Sequence, residues 1–293
     1  MNINNQPVVT ERFTEPGCRV TLFRDERNDN PESLALFRGG LGDVRSSSMG
    51  NIAHEVLRVC EGEVTVGIVR TTRPHMFRKA MRDSIKARET RAISMESAIT
   101  GSFERYPSIN SLVVAGQSQG GVTAVDGLRR LLNSKNASER LGDIAMGVYT
   151  MDTPGVFGPM EYEGSLASGL GRLLGNCVED IVAMTAKERF RMLRDMTKRG
   201  VSPYEAMHII GEIMYLRDVD ISPDIGALRD FDVDVWHSFR TGDVVPGAEV
   251  LSDFTRVYEG NHLRSVHGSG SKEVALDIQN LFKYIKRDIP EAA

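Results

Sequence analysis

Residues 111–121 read Ser111-Leu112-Val113-Val114-Ala115-Gly116-Gln117-Ser118-Gln119-Gly120-Gly121. The first five are a short apolar run, the composition of a buried strand. From Gly121 to Leu132 the pattern is helical, so a strand passes into a helix with almost no loop between them. The junction, Gly116 to Gly120, has the form Gly-x-Ser-x-Gly. As letters alone that pattern is weak, but a strand directly before it and a helix directly after it are the context it demands. A serine that must meet both a base and a substrate carbonyl has to be lifted out of its strand end, which forces a sharp turn. Glycines on either side let the neighbouring chain and helix close in around it. The helix behind it points its unpaired N–H groups at developing negative charge. The other reading is a glycine-rich turn of a nucleotide-binding fold. Such turns carry Gly-x-Gly-x-x-Gly or a Gly-Lys-Ser/Thr ending, and neither is present.

Outward from this junction, short apolar runs alternate with longer amphipathic ones. Strands are expected at Cys18 to Arg24, Ser33 to Phe37, Val64 to Arg70, Ala145 to Thr150, Val233 to Phe239 and Thr255 to Tyr258. Helices are expected around Ile52, Val56 and Val59, from Met76 to about Tyr106, and at the end of the chain through Val274, Ile278, Leu281 and Ile285. This alternation predicts an α/β fold with a mostly parallel central sheet. The stretch from Arg78 to Arg91, which also holds Asp83 and Glu89, reads as a solvated helix face.

Between Val156 and Leu228 the strand signal disappears. Thr185 with Glu188 has the spacing of a capping box, and Gly200 suits a helix stop. Ser202, Pro203 and Glu205 mark a second helix start. The segment holds Met184, Met192, Met196, Met207 and Met214, and methionine is flexible enough to adapt to varied apolar groups. The same residues could equally pack a small core of the insertion itself.

The bulk composition removes several classes of function. The 293 residues are 41% hydrophobic and 26% charged, enough apolar material for a large core. With a net charge of -4 and no dense Lys/Arg block, there is no electrostatic footprint for nucleic acid. Cys18, Cys60 and Cys177 are far apart and odd in number, which supports neither a metal knuckle nor a disulfide framework. No apolar run approaches the ~20 residues that would span a bilayer, and Met1 to Pro7 is too polar for a signal peptide. The expectation is a soluble, cytoplasmic protein needing no metal or other cofactor, its oligomeric state left open.

With the serine junction and the strand order in place, the chain resembles the α/β-hydrolase family from the strand at Ser33 to the last helix near Arg287. The resemblance implies helices on both faces of the sheet. It also implies a core of residues 1–155 and 229–293, with residues 156–228 forming a helical lid. Family members order their catalytic groups as nucleophile, acid, then histidine, which makes Ser118 the nucleophile. Asp243, in Arg240-Thr241-Gly242-Asp243-Val244-Val245-Pro246 after a late strand, resembles the family's acid loop. The other reading of Asp243 is a turn residue after Gly242.

Gly260-Asn261-His262, after the last strand, resembles the way the family presents its base, with His267 as the alternative. An oxyanion hole is expected from the backbone N–H of Gln119 and of Gly40, with Leu41 next in line. Phe37-Arg38-Gly39-Gly40-Leu41-Gly42 resembles the family's His-Gly-x loop, with Arg38 where many members have histidine. The implied activity is hydrolysis of a small-molecule carboxylic ester through an acyl-enzyme. A thioesterase, amidase or acyltransferase would use the same three residues, because one fold hosts many reactions. Epoxide hydrolases and dehalogenases carry a carboxylate where Ser118 stands. A silent member that only binds a ligand or partner is the reading from a different class.

Overall fold

The structure, a computed structural model, describes residues 2–3, 6–40, 48–71, 84–134, 141–157, 186, 219–240, 255–259 and 269–288. Nine strands among them form one sheet: β1 (Asn2–Ile3), β2 (Gln6–Glu15), β3 (Cys18–Asp25), β4 (Ser33–Arg38), β5 (Val64–Thr71), β6 (Ser111–Gln117), β7 (Ala145–Met151), β8 (Asp234–Arg240) and β9 (Thr255–Tyr258). Their spatial order is β1-β2-β3-β5-β4-β6-β7-β8-β9. β4 through β9 pair in parallel, while β1, β2 and β3 join by antiparallel ladders.

Five helices are described: α1 (Ser48–Val59), α2 (Ser84–Arg105), α3 (Gln119–Leu132), α4 (Ser222–Arg229) and α5 (Ser269–Ile285). They cover both faces, as a parallel sheet requires. Because side chains alternate along a strand, Leu34, Leu36, Leu112, Val114 and Val148 pack against Met95 and Ile99 of α2 and Val125 and Leu128 of α3. Ala35, Phe37, Val113, Ala115 and Tyr149 turn the other way, onto Ile52 and Val56 of α1 and Ile278 and Leu281 of α5. The central strands are therefore buried on both sides. This is why they read as continuous apolar runs in the sequence and not as alternating ones.

Every expected strand is present. The long β2 is an addition: Gln6–Glu15 pairs along its length with β3, from Val8 opposite Asp25 to Glu15 opposite Cys18. Thr10, Arg12 and Thr14 are exposed, and among its described side chains only Phe13 is buried, so the strand left no apolar run in the sequence.

The reading of Arg78 to Arg91 as a solvated face is corrected where the structure describes it. Arg91 is buried. Arg88 joins α2 to α3 and α4, with its Nε 2.6 Å from Asp126 and its Nη2 2.6 Å from Asp224. Charged residues sit at a helix–helix seam here because opposite charges meet there and satisfy one another.

Of the span expected to form a lid, residues 156–157, 186 and 219–228 are described. The helix signals at Thr185, Glu188, Gly200, Ser202, Pro203 and Glu205 lie outside them. α4, near the end of that span, buries Ile225 and Leu228 in the same core as α3. Its start is set by Pro223 in the first turn. There the Asp220 carboxylate also accepts bonds from the Ser222 amide (2.9 Å) and hydroxyl (2.6 Å).

Candidate active site

The chain runs β4–α1–β5 toward one edge of the sheet, then returns past β4 to lay down β6 and continue the other way. The carboxyl ends of β4 and β6 therefore border a topological switch point, where open α/β sheets leave a crevice for ligands. Arg38-Gly39-Gly40 ends one of these strands and Gln117-Ser118 the other. Register pairs Arg38 with Gly116, so the two ends are level.

Ser118 has φ 52° and ψ -125°, a backbone conformation that L-residues rarely adopt. That twist is the elbow. It ends β6 and starts α3 at the next residue, and Gly121 closes the first turn with an N–H bond to the Ser118 carbonyl at 3.0 Å. The elbow is tied sideways as well, since the Ser118 amide donates to the Met151 carbonyl of β7 at 2.7 Å.

Only glycine serves on either side of the serine. A Cβ on Gly116 would lie 2.1 Å from the Gly120 carbonyl oxygen, and one on Gly120 would lie 2.2 Å from the Arg38 oxygen. A Cβ on Gly40 would sit 3.1 Å from the Ser118 Cβ and 3.7 Å from its hydroxyl oxygen. Gly40, just after β4, and the serine elbow are thus packed against each other. Gln119 opens α3, is 4% exposed, and has a side-chain amide nitrogen with no hydrogen-bond partner among the described residues. Arg38, the residue that departs from the family's histidine, is buried and donates from Nη1 to the Val69 carbonyl of β5 at 3.1 Å. It ties the carboxyl end of β4 to β5.

Leu41, Asp243, His262 and His267 lie outside the described residues. The strands leading to the last three are described. β8 ends at Arg240 and β9 at Tyr258, both at the carboxyl end of the parallel strands, the end at which Ser118 lies. Asp234 begins β8 at the opposite end. His237, mid-strand, is 2% exposed, and its Nδ1 lies 2.7 Å from the Thr150 hydroxyl. Burial, aided by the charge of Arg229, pushes its pKa down to about 3. It is therefore a neutral core residue. Cys18 and Cys60 are buried with thiols pushed up to about 11 and about 12 by that burial, which leaves no thiolate nucleophile between them.

Sequence reasoning passed over Asp152 and Arg240. Asp152 follows the last residue of β7, is fully buried, and has φ 46°. Its Oδ1 accepts the backbone N–H of Arg240 at 2.9 Å. The signal was a polar residue directly before Thr153-Pro154-Gly155, which reads as nothing more than a strand stop.

No family model matches the sequence, and no curated protein matches it. Solved structures do share the architecture. A candidate lipase of Acinetobacter baumannii AYE superposes with a TM-score of 0.60 at 11% identity, covering 96% of this chain and 93% of that one. The esterase Pf2001 of Pyrococcus furiosus gives 0.52 at 10% identity, covering 95% and 90%. A Y149F mutant of the epoxide hydrolase of Solanum tuberosum gives 0.53 at 11% identity, covering 96% and 100%. The chain has the α/β-hydrolase fold. At these identities the likeness extends to the fold, and the chemistry has to be argued from the site.

Proposed function

We propose that the protein is a serine hydrolase that cleaves a small-molecule carboxylic ester. The observation that carries the reading is the strained Ser118 elbow, seated at the switch point with Gly40 packed against it. Strain in a non-glycine residue persists only where the surroundings enforce it, and such residues cluster at working sites. A plain structural turn would have no use for a serine where glycine is the relaxed choice.

In this reading Ser118 Oγ attacks the ester carbonyl carbon and passes its proton to His262. The backbone N–H groups of Gly40 and Gln119 receive the negative charge that develops on the carbonyl oxygen. Collapse expels the alcohol, which takes the proton from His262. Water then attacks the acyl-enzyme, giving a proton to His262, and the carboxylic acid leaves as Ser118 recovers its hydrogen. Asp243 orients the histidine and stabilises its charged form. Residues 158–218 serve as a helical lid over the α/β core, while Val156 and the 219–228 segment, whose Ile225 and Leu228 pack with α3, belong to the core itself.

The test is hydrolysis of p-nitrophenyl esters of increasing acyl length by the wild type and by Ser118→Ala. The expected result is turnover by the wild type and its loss in the mutant, with a chain-length optimum that reports the room beneath the lid. Equal rates in the two proteins would remove Ser118 from the chemistry. A wild type that neither hydrolyses any ester nor takes a fluorophosphonate label would instead mark a silent, ligand-binding member of the fold.

A further inference from the structure

Arg240 is the last residue of β8, and its side chain is 2% exposed. A cation buried that deeply must be paired and hydrogen-bonded. Its Nη1 donates to Glu273 Oε2 of α5 at 2.7 Å and to the Glu259 carbonyl at 3.1 Å. Its guanidinium carbon lies 4.9 Å from the centre of the Tyr258 ring. Its backbone N–H is held by the strained Asp152 at the end of β7. One residue therefore ties together the carboxyl ends of β7, β8 and β9 and the first turns of α5.

A second layer reinforces the first. Asp277, one helical turn beyond Glu273 on α5, accepts the hydroxyl of Tyr258 at 2.7 Å and that of Tyr149 at 2.5 Å. Buried ionic groups add little net stability compared with apolar packing of similar volume. What such an arrangement fixes is direction. The chain leaves Arg240 toward Asp243 and leaves Glu259 toward His262, each within three positions. We propose that Arg240, backed by Glu273 and Asp152, is a positioning residue that sets the starting points of the acid and base segments relative to each other. This rests on the serine hydrolase reading above.

The experiment compares wild type, Ser118→Ala, Arg240→Met, Arg240→Lys, Glu273→Gln and the Arg240→Met/Glu273→Gln double variant. For each, kcat and KM on a p-nitrophenyl ester are measured beside thermal unfolding. Misplacing reacting groups by about 1 Å costs ~100-fold, so Arg240→Met should lose about that much kcat while unfolding cooperatively. KM should stay within about threefold, because substrate binding itself is not touched. Lysine should recover part of the loss, and the double variant should be no slower than Arg240→Met alone.

A folded Arg240→Met with wild-type kcat per folded molecule would overturn the proposal. If that variant does not fold, Glu273→Gln decides, since Glu273 is about a third exposed and glutamine keeps a side-chain oxygen that can accept from Arg240. A fall in kcat at unchanged melting temperature supports the clamp, and an unchanged kcat rejects it. An inert wild type, or an active Ser118→Ala, would instead bring down the hydrolase reading and the inference with it.

Discussion

The amide of Ser118 donates to the carbonyl of Met151 at 2.7 Å, so the elbow is pinned to β7 at the residue whose φ of 52° turns it out of β6. The bond lets a strained conformation persist, and strain of this kind costs roughly 1–3 kcal/mol. Glycine adopts positive φ without penalty but adds entropy to the unfolded chain. Ser118→Gly should therefore be more stable than wild type by about 1 kcal/mol, near 2 °C in melting temperature for a chain of this size. Ser118→Ala keeps the strain and should melt close to wild type. Scanning calorimetry of the three proteins checks this, and a Ser118→Gly that melts below Ser118→Ala would mean the backbone there is relaxed.

The two glycines facing this serine differ in how much room they have. A Cβ on Gly120 meets main-chain oxygens of Arg38 and Gly39 at 2.2 and 2.6 Å, and main chain cannot rotate away. Gly120→Ala should cost about 3 kcal/mol, the upper range for overpacking, and reduce soluble yield. On Gly40 the nearest atoms are 3.1 Å and beyond. Gly40→Ala should fold, with a melting temperature near wild type, but lower kcat by tenfold or more because it shifts a proposed oxyanion donor. The pair separates structural from functional glycine, and equal damage to stability by both would contradict it.

The elbow was legible in the sequence because its constraints are local: a strand, a turn and a helix within eleven residues, 111 to 121. The mostly parallel sheet was legible for a related reason, since strands buried on both faces leave unbroken apolar runs. What sequence could not display depends on distant partners. Arg88 and Asp224 are far apart in the chain yet 2.6 Å apart in space, so their charges read as surface. Asp152 and Arg240 likewise look like a turn residue and a strand-end cation until β7 and β8 are laid side by side. Of the candidate site, Ser118, Gln119 and Gly40 are brought together, Asp243, His262, His267 and Leu41 lie outside the described residues, and the roles of all seven are proposals.

The Arg88–Asp224 contact belongs to a network in which Asp224 also pairs with Arg129, and Arg88 with Asp126. Asp224 is largely buried, with a side chain 12% exposed. Burial also raises the Asp126 carboxyl, with Arg88 opposing that shift. Removing Asp224 leaves two cations facing each other at the α2–α3–α4 seam. Asp224→Ala should lose about 2–3 kcal/mol, less than a fully buried pair because both arginines reach solvent. In a double-mutant cycle with Arg88→Met the coupling should exceed 1 kcal/mol. Urea denaturation measures it, and additive effects would show the network to be ornamental.

His237 supplies a pH dependence with a definite sign. Its pKa is lowered from 6.5 to about 3 by burial and by Arg229, so between those values the unfolded chain binds a proton that the native protein does not. Stability must then fall as pH is lowered through that window, by up to about 1.4 kcal/mol per pH unit from this group. Above 6.5 the contribution is complete and flat. Asparagine in place of the imidazole keeps a polar atom near the Thr150 hydroxyl, 2.7 Å from Nδ1 in wild type, but cannot titrate. His237→Asn should therefore start less stable at neutral pH and lose less on acidification between pH 6.5 and about 4. Carboxylates such as Asp277 and Asp126, whose pKa values are raised, titrate in both proteins and cancel in the comparison. Parallel stability–pH curves for wild type and variant would show that His237 is protonated in the native state, and with it that the core around Thr150 admits a charge.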